Sequence, residues 1–196
     1  MATFDEVVAA LLAGQPVVVP TDTVYGIAVD PAHPGATDRL FAIKERPATV
    51  AVPVLAADVE QAFALAAEVP DAAARLAERF WPGGVTLVVA RRPGLDLDLG
   101  GEDDRSIGLR VPDHDLVRRL TARVGPLATT SANRHGRPTP ETATGVVREL
   151  RGAVALVLDG GRCAGAPSTV VACDEDGVTV LREGRVPAAA IHDALR

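Results

Sequence analysis

At 196 residues with 47% hydrophobic content, the chain can bury one substantial core, and a single α/β domain is expected. No apolar stretch approaches the roughly 20 residues of a membrane helix, and the start Met1-Ala2-Thr3-Phe4-Asp5-Glu6 has no basic leader, so no membrane partner is expected and a cytoplasmic location is. The net charge of -6 hides an uneven distribution: residues 105 to 151 carry nine arginines against Asp113, Asp115, Glu141 and Glu149, a stretch able to present a local basic surface, with solvated helix faces as the plainer account of Arg118, Arg119 and Arg123.

In chain order, Thr3 and Glu6 fit a capping box opening a helix over 4–13 that Gly14 stops. The apolar run Val17-Val18-Val19 predicts a strand over 16–20, and a second follows at 26–29. A helix over 37–43 ends in Lys44-Glu45-Arg46-Pro47, two cations spaced i, i+2 that are expected to project into a loop, with Pro47 keeping Arg46 out of the helix. A strand over 50–55 contains Pro53, which predicts a sheet edge or a bulge. Helices over 58–67 and 71–80 and a strand over 85–90 precede Pro93 to Asp104, read as an exposed loop. A strand over 106–111, a helix over 115–123 and a strand over 126–130 follow. Thr139 as N-cap with Pro140 at the first helical position opens a helix over 140–149. Strands over 154–158, 168–173 and 177–182 and a helix over 187–195 complete the pattern.

Several chemistries are excluded by composition. The one lysine, Lys44, follows Ile43 and no glycine, so a Walker nucleotide loop is absent; GxGxxG, HExxH and GxSxG are absent too. Four histidines are too scattered for zinc, no metal site in the protein is expected, and Cys163 and Cys173 form no CxxC pair and read as buried or incidental thiols. What remains is four polar clusters at element ends. These are Thr21-Asp22-Thr23 with Tyr25 after the first strand; Lys44 with Arg46; Thr129-Thr130-Ser131-Ala132-Asn133 leaving the 126–130 strand; and Gly165-Ala166-Pro167-Ser168-Thr169 entering another. Hydroxyls, an amide, cations and approachable backbone N–H groups suit anionic oxygens. Each cluster alone also fits a turn, a solvated helix end or a cap.

In order, PTDTVYG, IKERP, FWPGGVTLVV, IGLRVP, TTSAN, LDGG, PSTVV and LREG resemble the YrdC-like family over roughly residues 5 to 186. The resemblance implies an α/β fold, a twisted open mixed sheet flanked by helices around a large, concave, basic cleft. It implies a nucleotidyltransferase, L-threonylcarbamoyladenylate synthase, that converts L-threonine, bicarbonate and ATP into threonylcarbamoyl-AMP and pyrophosphate. Mg2+ would accompany ATP, and downstream tRNA threonylcarbamoyl-transfer proteins would take the product. The length matches the short form of the family, so residues 1–196 are expected to be one domain with no additional C-terminal domain.

By the same resemblance, Lys44 and Arg46 are the expected catalytic cations, with Arg46 on ATP. Ser106, Ser131, Asn133, Thr139 and Arg182 fall at ATP positions, and Thr23, Arg110, Thr129 and Ser168 at threonine positions, Arg110 near the carboxylate. Two positions depart from the family pattern: Val50 stands where a polar nucleotide contact is usual, and Leu55 where some members carry histidine. A second reading makes the cleft a noncatalytic site for tRNA or double-stranded RNA, against which stand few aromatics and an acidic net charge. A third, a carbamoyl-transfer module like that of hydrogenase-maturation proteins, belongs to much longer chains.

Overall fold

The three valines of β1 (Val17–Val19) are all buried, as are the four residues of β2 (Gly26–Val29), which marks a sheet covered on both faces. In the computed structural model, which describes residues 1–45, 49–154, 156–175 and 177–196, the odd and even positions part to two cores. Val17, Val19 and Ala28 pack with α1 (Phe4–Leu12) and α5 (Asp115–Val124), through Val7, Leu11, Val117 and Leu120. Val18, Ile27 and Val29 face the other core, with Leu40 of α2 (Ala36–Lys44), Leu76 of α4 (Asp71–Phe80), Val146 of α6 (Ala143–Glu149) and Ile191 of α7 (Ala188–Asp193).

The remaining elements are β3 (Val54–Leu55), α3 (Val59–Phe63), β4 (Val85–Ala90), β5 (Ser106–Arg110), β6 (Leu127–Ser131), β7 (Leu156–Val157), β8 (Thr169–Asp174) and β9 (Gly177–Arg182). The described residues form one nine-stranded sheet in the order β7-β1-β2-β6-β3-β5-β4-β8-β9. It is mixed: β1 with β7, β3 with β5 and β4 with β8 run parallel, and the other neighbours antiparallel. β1 and β2 form a hairpin in which Val19 faces Gly26, so residues 20–25 are the connection, held at the mouth of the sheet. No helix among the described residues is long and apolar enough to cross a membrane.

Three sequence expectations need correction. Pro53 marks neither an edge nor a bulge: β3 lies between β5 and β6, shortened to two residues, and Pro53 ends just before it with its carbonyl accepting from Thr129 N at 2.9 Å. The outer strands are β7 and β9, and the register shift sits between Val170 and Val171. The 140–149 helix starts three residues later than expected, because Thr142 is the N-cap, its hydroxyl accepting from Gly145 N, while Thr139 turns its hydroxyl to Asn133. The 93–104 segment is not simply exposed: Leu99 is core, Val52 N bonds Leu99 O at 3.0 Å, and Thr37 Oγ1 bonds Asp98 O at 2.6 Å.

A cleft at the strand ends

The hairpin connection is a turn held by its own hydroxyls. Thr21 Oγ1 accepts from Thr23 N and Val24 N, both at 3.2 Å, and donates to Val24 O at 2.6 Å. A second tie fixes it from outside. The Tyr25 hydroxyl donates to Gly161 O at 2.7 Å, lies 3.3 Å from Asp159 Oδ1 and accepts from Gly160 N at 3.3 Å; burial pushes this phenol up to about 12. The only tyrosine therefore locks the turn to the LDGG segment.

Above the sheet lies a cleft of about 650 Å³. Thr23, Arg110, Thr129 and Ser168 line it towards the hairpin turn, and Lys44, Ser131 and Asn133 line it where β6 leaves the sheet; Ser106 and Arg182 also line it. Nine predicted site residues thus meet at one cavity. Thr139 does not line it, standing one bond behind with Oγ1 donating to Asn133 Oδ1 at 3.2 Å. Arg46 lies outside the described residues.

At the turn end, Arg110 is buried and engaged on three sides. Its Nη1 donates to Thr23 Oγ1 at 2.9 Å, Nη2 to Asp22 Oδ1 at 2.6 Å, and Nε to Gly83 O at 2.9 Å. Burial pushes the guanidinium down from its ordinary value, and the Asp22 carboxylate opposes that fall. Ser168 Oγ meets Thr86 Oγ1 at 2.8 Å, both hydroxyls on the cleft wall, and Arg182 Nη2 holds Ser168 O at 2.9 Å.

At the β6 end, Lys44 does not project into a loop. It is 3% exposed, and its Nζ donates to Ser131 O at 2.6 Å, Asn133 O at 2.9 Å and Asn133 Oδ1 at 3.2 Å. Asn133 Nδ2 in turn donates to Arg134 O and Arg137 O. The cation reaches across from α2 and shapes the loop after β6, which is the arrangement a cradle for anionic oxygens needs. Ser106 Oγ donates to Asp103 Oδ2 at 2.6 Å, and that bond is the first cause holding the Asp103 carboxyl below its usual range.

The arginine-rich stretch does not gather here. Of its nine arginines Arg110 alone lines the cleft; Arg119 stacks on Phe4, Arg118 bonds Ala57 O, and Arg134 and Arg137 pair with Glu149. The charged residues along the described lining are Lys44, Arg110 and Arg182 with Glu102 and Asp103, a mixed set. Cys163 and Cys173 are free and buried, and burial raises both thiols, Cys173 to about 11.

Sequence reasoning missed Asp22 as the partner of Arg110, Thr86 and Arg185. Thr86 left a trace, a lone hydroxyl inside the apolar run Val85 to Val89; the others announce themselves only through contacts distant along the chain.

The profile of the family described as telomere recombination (Sua5/YciO/YrdC) matches residues 9–184. A protein of Mycobacterium leprae is 39% identical over 189 residues, spanning 96% of this chain and 86% of its own length. The threonylcarbamoyl-AMP synthase of Photobacterium profundum is 33% identical over 187 residues, 94% of this chain and 100% of that protein. Among solved structures, Pyrococcus abyssi Sua5 complexed with L-threonine superposes with a TM-score of 0.87 at 31% identity, covering 98% of this chain and 57% of the archaeal one. The chain thus spans rather more than half of that archaeal protein. A family profile over residues 9–184 and relatives of 33–39% identity over most of their own length carry the conclusion: the chain belongs to the Sua5/YciO/YrdC family.

Proposed function

We propose that this protein is an L-threonylcarbamoyladenylate synthase, a nucleotidyltransferase making threonylcarbamoyl-AMP and pyrophosphate from L-threonine, bicarbonate and ATP, to supply threonylcarbamoyladenosine formation in tRNA. The observation that carries the reading is the convergence of Thr23 and Arg110 with Lys44, Ser131 and Asn133 on one cleft, in a chain matched across the whole length of a relative bearing that name.

The threonine amine captures CO2 derived from bicarbonate, losing a proton and giving a carbamate. One carbamate oxygen then attacks the α-phosphorus, the bond to the β-phosphate oxygen breaks, and pyrophosphate leaves. No covalent enzyme intermediate is needed, so the protein's work is alignment and charge neutralisation. Arg110 would take the amino-acid carboxylate with N–H groups not given to Asp22, Thr23 and Gly83, because guanidinium geometry matches that planar group. Lys44 would place its charge under the loop that receives the phosphates, with the Ser131 hydroxyl offered to them, Asn133 bracing the loop, and Arg46 contributing the further cation that the family resemblance assigns to ATP. Val50 and Leu181, both more than half exposed, line the same cleft, and a purine base would cover apolar surface that otherwise meets water.

Mg2+ would arrive with ATP, on phosphate oxygens and water, as a hard ion that takes few protein ligands. The described carboxylates at the cleft, Glu102 and Asp103, are neighbours suited to an outer position and not a cage. Bound there, the ion would screen the triphosphate charge.

The test is mass detection of threonylcarbamoyl-AMP with measurement of pyrophosphate after incubation with ATP, Mg2+, L-threonine and bicarbonate. Product is expected only with all four; ATP turnover indifferent to threonine or bicarbonate refutes the assignment.

A further inference from the structure

Asp22 is the one charged residue of the hairpin turn, and it does not line the cleft. Its side chain is 9% exposed, against 7% for the Arg110 side chain it contacts, so the pair is closed off together. Oδ1 accepts from Arg110 Nη2 at 2.6 Å and from Asp113 N at 3.2 Å. Its main-chain oxygen accepts from Arg185 Nη1 at 2.8 Å. Arg185 reaches that oxygen through a passage too narrow for side chains: a Cβ on Gly84 would fall 2.8 Å from Arg185 Cδ, and one on Gly165 would fall 3.0 Å from Arg185 Nη1 and 2.7 Å from Thr23 O. Two arginines from distant parts of the chain therefore clasp one residue, Arg110 by its carboxylate and Arg185 by its backbone.

We infer that Asp22 is a positioning residue for substrate recognition: it aims the Arg110 guanidinium into the cleft and balances its charge, with Arg185 anchoring Asp22 from behind. The inference rests on the reading of the turn end as the site of the amino-acid carboxylate. A buried guanidinium is free to swing among rotamers unless its hydrogen bonds fix it, and each engaged N–H fixes one direction. Among the described residues three of the five N–H groups of Arg110 are engaged, one of them by each terminal nitrogen, so each terminal nitrogen keeps one N–H for a ligand. Asp22 also partners the buried charge of Arg110 while the site is empty, so the guanidinium stays in place instead of turning away in search of another partner. A neutral amide at this position keeps the size and loses both the charge and the strength of the bond.

Calorimetric binding of L-threonine, of its carboxylate-free analogue L-threoninamide, and of ATP to the wild type, Asp22→Asn and Arg185→Ala tests the inference without relying on turnover. Asp22→Asn is expected to weaken L-threonine by about 10- to 100-fold, to leave L-threoninamide and ATP unchanged, and so to lose discrimination between acid and amide. Arg185→Ala is expected to shift the same ratio in the same direction by a smaller factor. If Asp22→Asn does not fold, Arg185→Ala decides alone. Unchanged L-threonine affinity, or a parallel loss for threonine, threoninamide and ATP, overturns the inference, as does a wild type that binds no L-threonine. A wild type that binds L-threonine yet releases no pyrophosphate removes the synthase reading and leaves the positioning role standing.

Discussion

Lys44 shows how a single residue can be misjudged from its neighbours. Placed before Glu45, Arg46 and Pro47 at a helix end, it has the sequence profile of a solvated cation, yet it is buried against the carbonyl oxygens of Ser131 and Asn133. Bonds to oxygens 87 and 89 residues away leave no local trace. Its removal should therefore act twice. Lys44→Met is expected to lower synthase turnover by about 100-fold or more, the scale of losing a charge aimed at the reacting phosphates. It should also cost about 1–3 kcal/mol of stability for carbonyls left without their donor. Pyrophosphate release and urea unfolding measured on one preparation separate the two effects; a wild-type rate removes the assigned role. Tyr25 was equally opaque, since its partners lie across the sheet end at Asp159 to Gly161.

Among elements, order and type were legible throughout and extents in part: β2, α4, β4 and β9 have the expected bounds, while β3, α3 and α6 are shorter than expected. The nine strands and seven helices among the described residues follow the predicted sequence, because apolar runs, the Thr3–Glu6 capping box and turn residues are local signals. Extents failed where groups found long-range partners: β3 is short where the Val52 main-chain N–H bonds Leu99 O instead, and α6 lost its expected cap when the Thr139 hydroxyl bonded Asn133. The loop carrying Gly100 and Gly101 forms part of the support for the cleft wall. Gly101 has φ +82°, and a Cβ there would lie 2.4 Å from Ala51 N, a backbone atom that cannot rotate away. Gly94 has φ +79° with nothing within 4 Å, so it shares the backbone strain and not the collision. Both alanine variants should lose about 1 kcal/mol from the positive φ, and Gly101→Ala should lose clearly more and weaken ATP binding at neighbouring Val50. Equal urea midpoints for the two variants would show that the loop yields freely.

Across the whole molecule, stability and site share the same junction. His114 opens α5 beside Asp113 and Asp115, and Gly160 fits between it and Pro20, where a Cβ would come within 3.0 Å of His114 Nε2 and 2.4 Å of Pro20 Cγ. Its Nδ1 is buried with no hydrogen-bond partner among the described residues. Burial pushes the imidazole below its ordinary 6.5, partly opposed by the carboxylates of Asp22, Asp115 and Asp113. The folded protein thus takes up this proton at lower pH than the unfolded chain does. Linkage then gives the sign: the full contribution is present above 6.5, and stability is lost as pH falls through 6.5 towards the folded value, because the unfolded state protonates first. Exposed carboxylates such as Glu6 and Asp103, whose pKa values are lowered, weaken the fold in acid too, but they are common to wild type and variant and cancel in a difference. His114→Gln is therefore expected to narrow its stability gap to the wild type, or overtake it, as pH is lowered from above 6.5 to below it. Urea midpoints taken across that range check this, and a gap that stays constant with pH would show that His114 does not carry the acid sensitivity.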